Sequence, residues 1–181
     1  LAWSYLSEKR RIPALILTAA AEADIVRVGR FRCAWFAHRD ADGAVSHVEI
    51  RGPDYRGSLK GGTKTLFRFG RAGEGSYRLA VTEAPIDALS LAAIEGHRAD
   101  TLYVATGGGI GPGTVSALQA AMRVIVGAPG ACLVAATDAD PAGDCYAERL
   151  SELAAEAGVA VERLRPIGVT DWNDILRGSA E

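Results

Sequence analysis

Two short apolar runs each end in a cluster of acids and then enter a proline-led helical pattern, and this arrangement narrows the folds open to the chain more than any other feature. The first run, Leu79-Ala80-Val81, leads into Thr82-Glu83-Ala84-Pro85-Ile86-Asp87. The second, Ala131 to Ala136, leads into Thr137-Asp138-Ala139-Asp140-Pro141-Ala142-Gly143-Asp144. Such runs read as buried strands, and the amphipathic stretches after them as helices. Both clusters are therefore strand-to-helix turns of a parallel sheet, where ligands bind in open α/β folds. Carboxylates gathered there repel one another unless a cation or a proton intervenes. An oxygen-only donor set suits Mg²⁺ or Mn²⁺ better than zinc, so the pattern points to a divalent-metal site built for phosphates.

From Tyr77 onward strand and helix patterns alternate, as βαβ units require. Strands are expected near 78–82, 101–105, 131–136 and 159–164, and helices near 86–96, 113–124, 141–157 and 172–177. Right-handed crossovers bring every strand's C-terminal end to one edge, so Glu83, Thr106 and Asp138 should converge. The preceding region reads differently. Residues 3–24 suggest one or two short helices broken at Pro13, and Phe31 to Phe36 with Val45 to Ile50 suggest a β-hairpin around Asp40-Ala41-Asp42-Gly43. Residues 51–75 read as a loop with a short strand near Leu66 to Phe69. The expected architecture is α/β: a four-stranded parallel sheet flanked by helices over 76–181, preceded over 1–75 by a small α+β accessory region.

Glu83 and Asp87 are four apart, so in a helix entered at Pro85 they share a side, and Asp138 and Asp140 share a face of a strand end. Each acid also has a plain structural use. Asp140 before Pro141 is a good helix N-cap, and Asp87 in a first turn suits the helix dipole. Asp171, with Asp174 three residues on, likewise resembles a capping box and, if the strand near 159–164 lies beside the others, joins Asn173 as a third source of oxygen ligands. The glycine-rich turn from Thr106 to Thr114 follows a strand and precedes a helix, where backbone amides can cradle a phosphate. It matches neither the dinucleotide fingerprint nor a P-loop. His38 and His47, flanking the hairpin turn, are expected on the surface.

The chain starts at Leu1 without a signal-type segment, and no apolar run reaches membrane-spanning length, so a fragment of a longer cytoplasmic protein is expected. Three dispersed cysteines form no C-x-x-C pair. Net charge is −2, but residues 1–80 hold 14 Lys/Arg against 8 Asp/Glu, while residues 81–181 hold 6 against 14. A basic half can grip a phosphate backbone while the acidic half carries metals.

Glu83 followed by Asp87, then Asp138-x-Asp140-x-x-Gly143 among four parallel strands, resembles the Toprim domain of DnaG-type primases, type IA and type II topoisomerases and OLD-family nucleases. The resemblance covers about residues 76–178, with Ala84 where Gly is usual and Asn173 in place of the second acid of a primase Asp-Pro-Asp segment. Residues 1–75 are similar to the domain that accompanies Toprim in plasmid and mobile-element proteins. The resemblance implies a Toprim (Rossmann-like) sheet and metal-dependent phosphoryl or nucleotidyl transfer on nucleic acid. It implies Glu83 as general acid/base or ligand, and Asp87, Asp138, Asp140 and Asp171 as the metal-holding set. The partners it implies are single-stranded DNA and nucleotides, in a primase-like reaction. A Toprim nuclease and a non-catalytic nucleic-acid or partner-binding module are the alternatives.

Overall fold

The computed structural model describes residues 2–70 and 77–178. A short helix α1 (Ala2–Ser4) continues as a π-turn over Tyr5–Lys9, and Pro13 starts α2 (Ala14–Glu22) from extended backbone. Strand β1 (Val26–Val28) and a 3₁₀ turn at Arg30–Arg32 lead to the hairpin strands β2 (Ala34–Arg39) and β3 (Val45–Arg51). Then follow β4 (Arg56–Ser58) and β5 (Leu66–Phe69). Four strands and helices alternate after that: β6 (Arg78–Thr82), α3 (Pro85–Ile94), β7 (Thr101–Ala105), α4 (Pro112–Ile125), β8 (Cys132–Ala135), α5 (Pro141–Ala157), β9 (Ala160–Arg163) and α6 (Trp172–Gly178).

The parallel order β7-β6-β8-β9 is the expected four-stranded sheet. Strands β7, β6 and β8 are buried on both faces because helices cover both, whereas the edge strand β9 is largely exposed. Leu79 and Val81 of β6 pack with Leu118 and Met122 of α4 and Leu150 of α5. Ala80 faces the opposite core, with Leu89 of α3, Trp172 of α6 and Ile16 of α2. Leu79, Leu118, Met122 and Leu133 are fully buried, each contributing about 1.5–3 kcal/mol. No helix among the described residues is long and apolar enough to cross a membrane.

Three features depart from the sequence reading. The first hairpin strand starts at Ala34, not Phe31, because Phe31 turns into the left-handed region (φ 56°, ψ 33°). The three-residue strands β1 and β4 were not expected, being too short to show an alternating pattern. Finally, β5 pairs antiparallel with β7, Phe67 opposite Ala105. One sheet therefore runs from β4 to β9 across the expected division near residue 75, part of which lies outside the described residues.

Candidate functional site

Strand β6 ends at Thr82, and the next backbone carbonyl, that of Glu83, accepts the N–H groups of Gly107 (2.9 Å) and Gly108 (3.0 Å). The turn after β7 is thereby tied to the turn after β6. Gly107 and Gly108 both sit at left-handed φ, near 73° and 74°, a conformation open to glycine without steric penalty. These two amides are occupied, so this stretch of the glycine-rich turn is a brace for Glu83 and not the phosphate cradle its sequence suggests. Ala84, where the Toprim pattern has Gly, is extended (φ −123°, ψ 151°), a conformation any residue adopts.

The side chain of Glu83 reaches the next strand: its Oε1 accepts the backbone N–H of Asp138 at 3.2 Å. Asp138 follows β8, and its loop is held close to α5. A Cβ on Gly143 would overlap the Asp138 carbonyl oxygen, which explains a glycine five residues on. Thr137 Oγ1 donates to the Gly143 carbonyl at 2.6 Å, and Asp140 caps α5 by accepting the Gly143 N–H at 2.7 Å. Arg163 of β9, which sequence reasoning passed over, donates to the carbonyls of Ala135, Thr137 and Asp138, each at 2.9 Å, fixing the loop from below.

Asp87, in the first turn of α3, is buried (7% exposed) and accepts the backbone N–H of Asn173 at 3.2 Å. Asp171 caps α6 by accepting the Asp174 N–H at 2.7 Å. The Asn173 side chain is committed elsewhere: its amide donates to the Arg10 carbonyl (2.8 Å) and to Ser90 Oγ (2.9 Å), and its oxygen accepts from Arg10 (3.3 Å). It locks the N-terminal lead-in against α3 and α6 and is not free to serve as a ligand.

Glu83, Asp87, Asp138 and Asp171 line one cleft of about 530 Å³, which Arg10, Arg51 and Arg56 also line. Asp140 lies beside it, near enough for its charge to act on Glu83 and Asp138. Burial and the neighbouring carboxylates of Glu83, Asp171 and Asp140 push Asp138 up to about 7, against Arg163, which lowers it. Burial, then Asp171 and Asp138, raise Asp87 well above the usual carboxylate range. Glu83 is also raised, chiefly by burial, although the Asp138 N–H opposes the shift.

A second polar cluster lies behind the cleft. His38 and His47 are buried, contrary to expectation, with their rings edge-on at 5.1 Å. His38 Nε2 lies 3.0 Å from Glu49 Oε1, and Arg51 donates to Glu49 Oε2 at 2.6 Å. Side chains alternate along a strand, so His38 shares the inward face of Phe36 and Ala34. That register was the available signal. Lys64 reaches from the same half to the Gly107 carbonyl at 2.7 Å.

The donor set suits a hard divalent cation in one respect: Asp138 Oδ1 is buried without a hydrogen-bond partner, amid acids that repel one another. Among the described residues no group of three or more His, Cys, Asp or Glu is arranged to hold a metal unaided. Mg²⁺ tolerates that, since it usually keeps several waters and takes one or two carboxylates plus substrate phosphate.

An open α/β sheet with acids at the C-terminal edge of its parallel strands defines the class, and that edge is where such folds bind their ligands. Residues 80–176, more than half of the chain, match the Toprim-like family, and the chain belongs to that family. Residues 4–75 match the family described as protein of unknown function (DUF3991). No curated protein matches the sequence. Among solved structures, the DnaG catalytic core superimposes with a TM-score of 0.62 at 18% identity, over 98% of this chain and 68% of that one. The primase fragment of the bacteriophage T7 primase-helicase gives 0.55 at 18%, over 89% of this chain and 64% of its own length. T7 primase domains bound to an RNA/DNA hybrid and dTTP give 0.59 at 18%, over 90% and 81%. The chain shares the fold of primase cores and spans only part of their length.

Proposed function

We propose that the chain is the catalytic module of a primase-like nucleotidyltransferase that requires Mg²⁺ or Mn²⁺ and acts on single-stranded DNA and nucleotides. In this reading it belongs to a longer, cytoplasmic DNA-processing protein of a plasmid or other mobile element. Residues 1–75 serve as the accessory region and 76–181 as the Toprim domain. The observation that carries the reading is the convergence of carboxylates from three separate turns on one cleft faced by arginines.

In this reading Asp138, with Asp87, Asp140 and Asp171 around it, holds the cation. When bound, that cation neutralises charge on phosphoryl oxygens and orients the attacking and leaving oxygens. Glu83, fixed by the Asp138 N–H and raised in pKa by burial, is placed to hold or move a proton as general acid/base. Arg10 and Arg56, which line the same cleft, grip phosphates, as guanidinium groups do with planar, charge-assisted hydrogen bonds. The T7 primase domains that share the fold are seen with a hybrid duplex and a nucleotide, which supports a nucleic-acid substrate.

Template-dependent incorporation of labelled nucleotides in Mg²⁺ tests the reading. Glu83→Gln should lower it about 10²–10⁴-fold, the usual worth of a positioned acid/base. Undiminished incorporation by the variant would sink the assignment. Cleavage of the labelled strand without synthesis would turn the reading into a Toprim nuclease.

A further inference from the structure

The face of the antiparallel strands turned away from the core carries a second cavity, of about 680 Å³, lined by Arg30, Phe31, Trp35, Ile50, Tyr55 and Leu59 among others. Cross-strand register explains how it forms: Trp35 lies opposite Ile50, and Ile50 opposite Gly57, so these positions share one face of the sheet. The Trp35 indole lies over Gly29, where any Cβ would overlap it.

Two aromatic rings here are left in water. Phe31 is 90% exposed and Tyr55 51%. Phe31 and Arg32 both take left-handed backbone, φ 56° and 60°, an arrangement that costs about 1–3 kcal/mol at a non-glycine residue. That strain holds the Phe31 ring outward and gains no burial for it. Around the rings the charge is positive and unspent. Arg30 and Arg32 are exposed, and none of the ion pairs among the described residues uses them. Tyr55 lines both this cavity and the acidic cleft, so the two surfaces meet at the β3–β4 turn.

We infer that this face is a stacking platform for the bases of a single-stranded nucleic acid whose backbone continues past Tyr55 into the acidic cleft. The inference rests on the nucleic-acid role proposed for that cleft. Aromatic faces accept any base by stacking, and free guanidinium groups pair with the phosphates between bases. An apolar peptide would use the rings but leave the two arginines without a partner.

The test is fluorescence anisotropy of a labelled oligothymidylate of about 12 nucleotides, an ordinary single-strand site size, in EDTA so that no cation enters the cleft. Phe31→Ala and Tyr55→Ala should each weaken binding about fivefold or more, and Phe31→Trp should retain it. No binding by the wild-type chain, or wild-type affinity in both alanine variants, overturns the inference. Phe31-dependent self-association in sedimentation, with oligonucleotide affinity unchanged, also overturns it and assigns the face to a second copy. Phe31→Ala should keep the wild-type rise in unfolding midpoint with Mg²⁺, so loss of the platform and failure of the proposed metal site are read separately.

Discussion

Two of this protein's buried charge clusters are treated in opposite ways. In the antiparallel half, Glu49 is 3% exposed, yet each of its oxygens has a partner, one at His38 and one at Arg51. Burial alone would raise its pKa, but the His38 hydrogen bond and the Arg51 charge outweigh it, and Glu49 stays below the usual value. At the edge of the parallel strands the balance is reversed. Asp138 has three carboxylates near it and one opposing arginine, and is pushed up to about 7. A paired cluster satisfies its electrostatics internally and needs nothing from outside. The unpaired cluster carries an unmet demand for positive charge, and that demand separates a binding site from a buried ion pair.

The contrast breaks first at Glu49. Removing one partner of a buried pair leaves an uncompensated charge, so Glu49→Ala should cost about 3 kcal/mol or more. For a chain of this size that is a drop of about 6–12 °C in thermal unfolding. An unchanged midpoint would mean that the Arg51 charge is satisfied by water and that the cluster is not closed.

The acidic side is sharpened by adding the missing charge. With free Mg²⁺ at about 100 times its Kd, the wild type should gain about 2.7 kcal/mol, seen as a rise in the unfolding midpoint. Asp138→Asn should lose most of that gain, since it neutralises the carboxylate whose Oδ1 stands unpartnered. Equal Mg²⁺ responses in the two proteins would place the cation elsewhere.

Much of the parallel half was legible in the sequence because its signals are local. Each of its first three helices opens at a proline, Pro85, Pro112 or Pro141, and the expected strands lie within a residue or two of those found. The convergence of Glu83 with Asp138 followed from the handedness of crossovers and appears as the 3.2 Å hydrogen bond between them. What stayed hidden depends on contacts far apart in sequence. Arg10 reaches the cleft wall through Asn173, 163 residues away, and nothing in the lead-in helix announces it. His38 and His47 read as turn-flanking polar residues. Their burial follows from the pairing of β2 with β3 and from the Gly107 turn packing against Glu49 and His38. The glycine-rich turn shows the same limit from the other side: its composition suits a phosphate, but the Glu83 carbonyl has taken two of its amides.

The smallest expected effect concerns the imidazole beside the closed pair. Both ring nitrogens of His47 are buried without a hydrogen-bond partner. Burial lowers its pKa, the facing His38 of β2 and Lys64 of the β4–β5 loop lower it further, and Glu49 on its own strand opposes them. In the unfolded chain the ring takes up a proton near its ordinary value of about 6.5, whereas in the fold it resists protonation until lower pH. Within that window the unfolded state binds more protons, so stability is full above the ordinary value and is lost as pH falls through the lowered one. His47→Gln should therefore show a shallower fall in unfolding midpoint between about pH 7 and pH 5 than the wild type does. Parallel curves would mean that His47 titrates alike in both states, and the antiparallel half would then hold its charges without the dry surroundings that set it apart from the cleft.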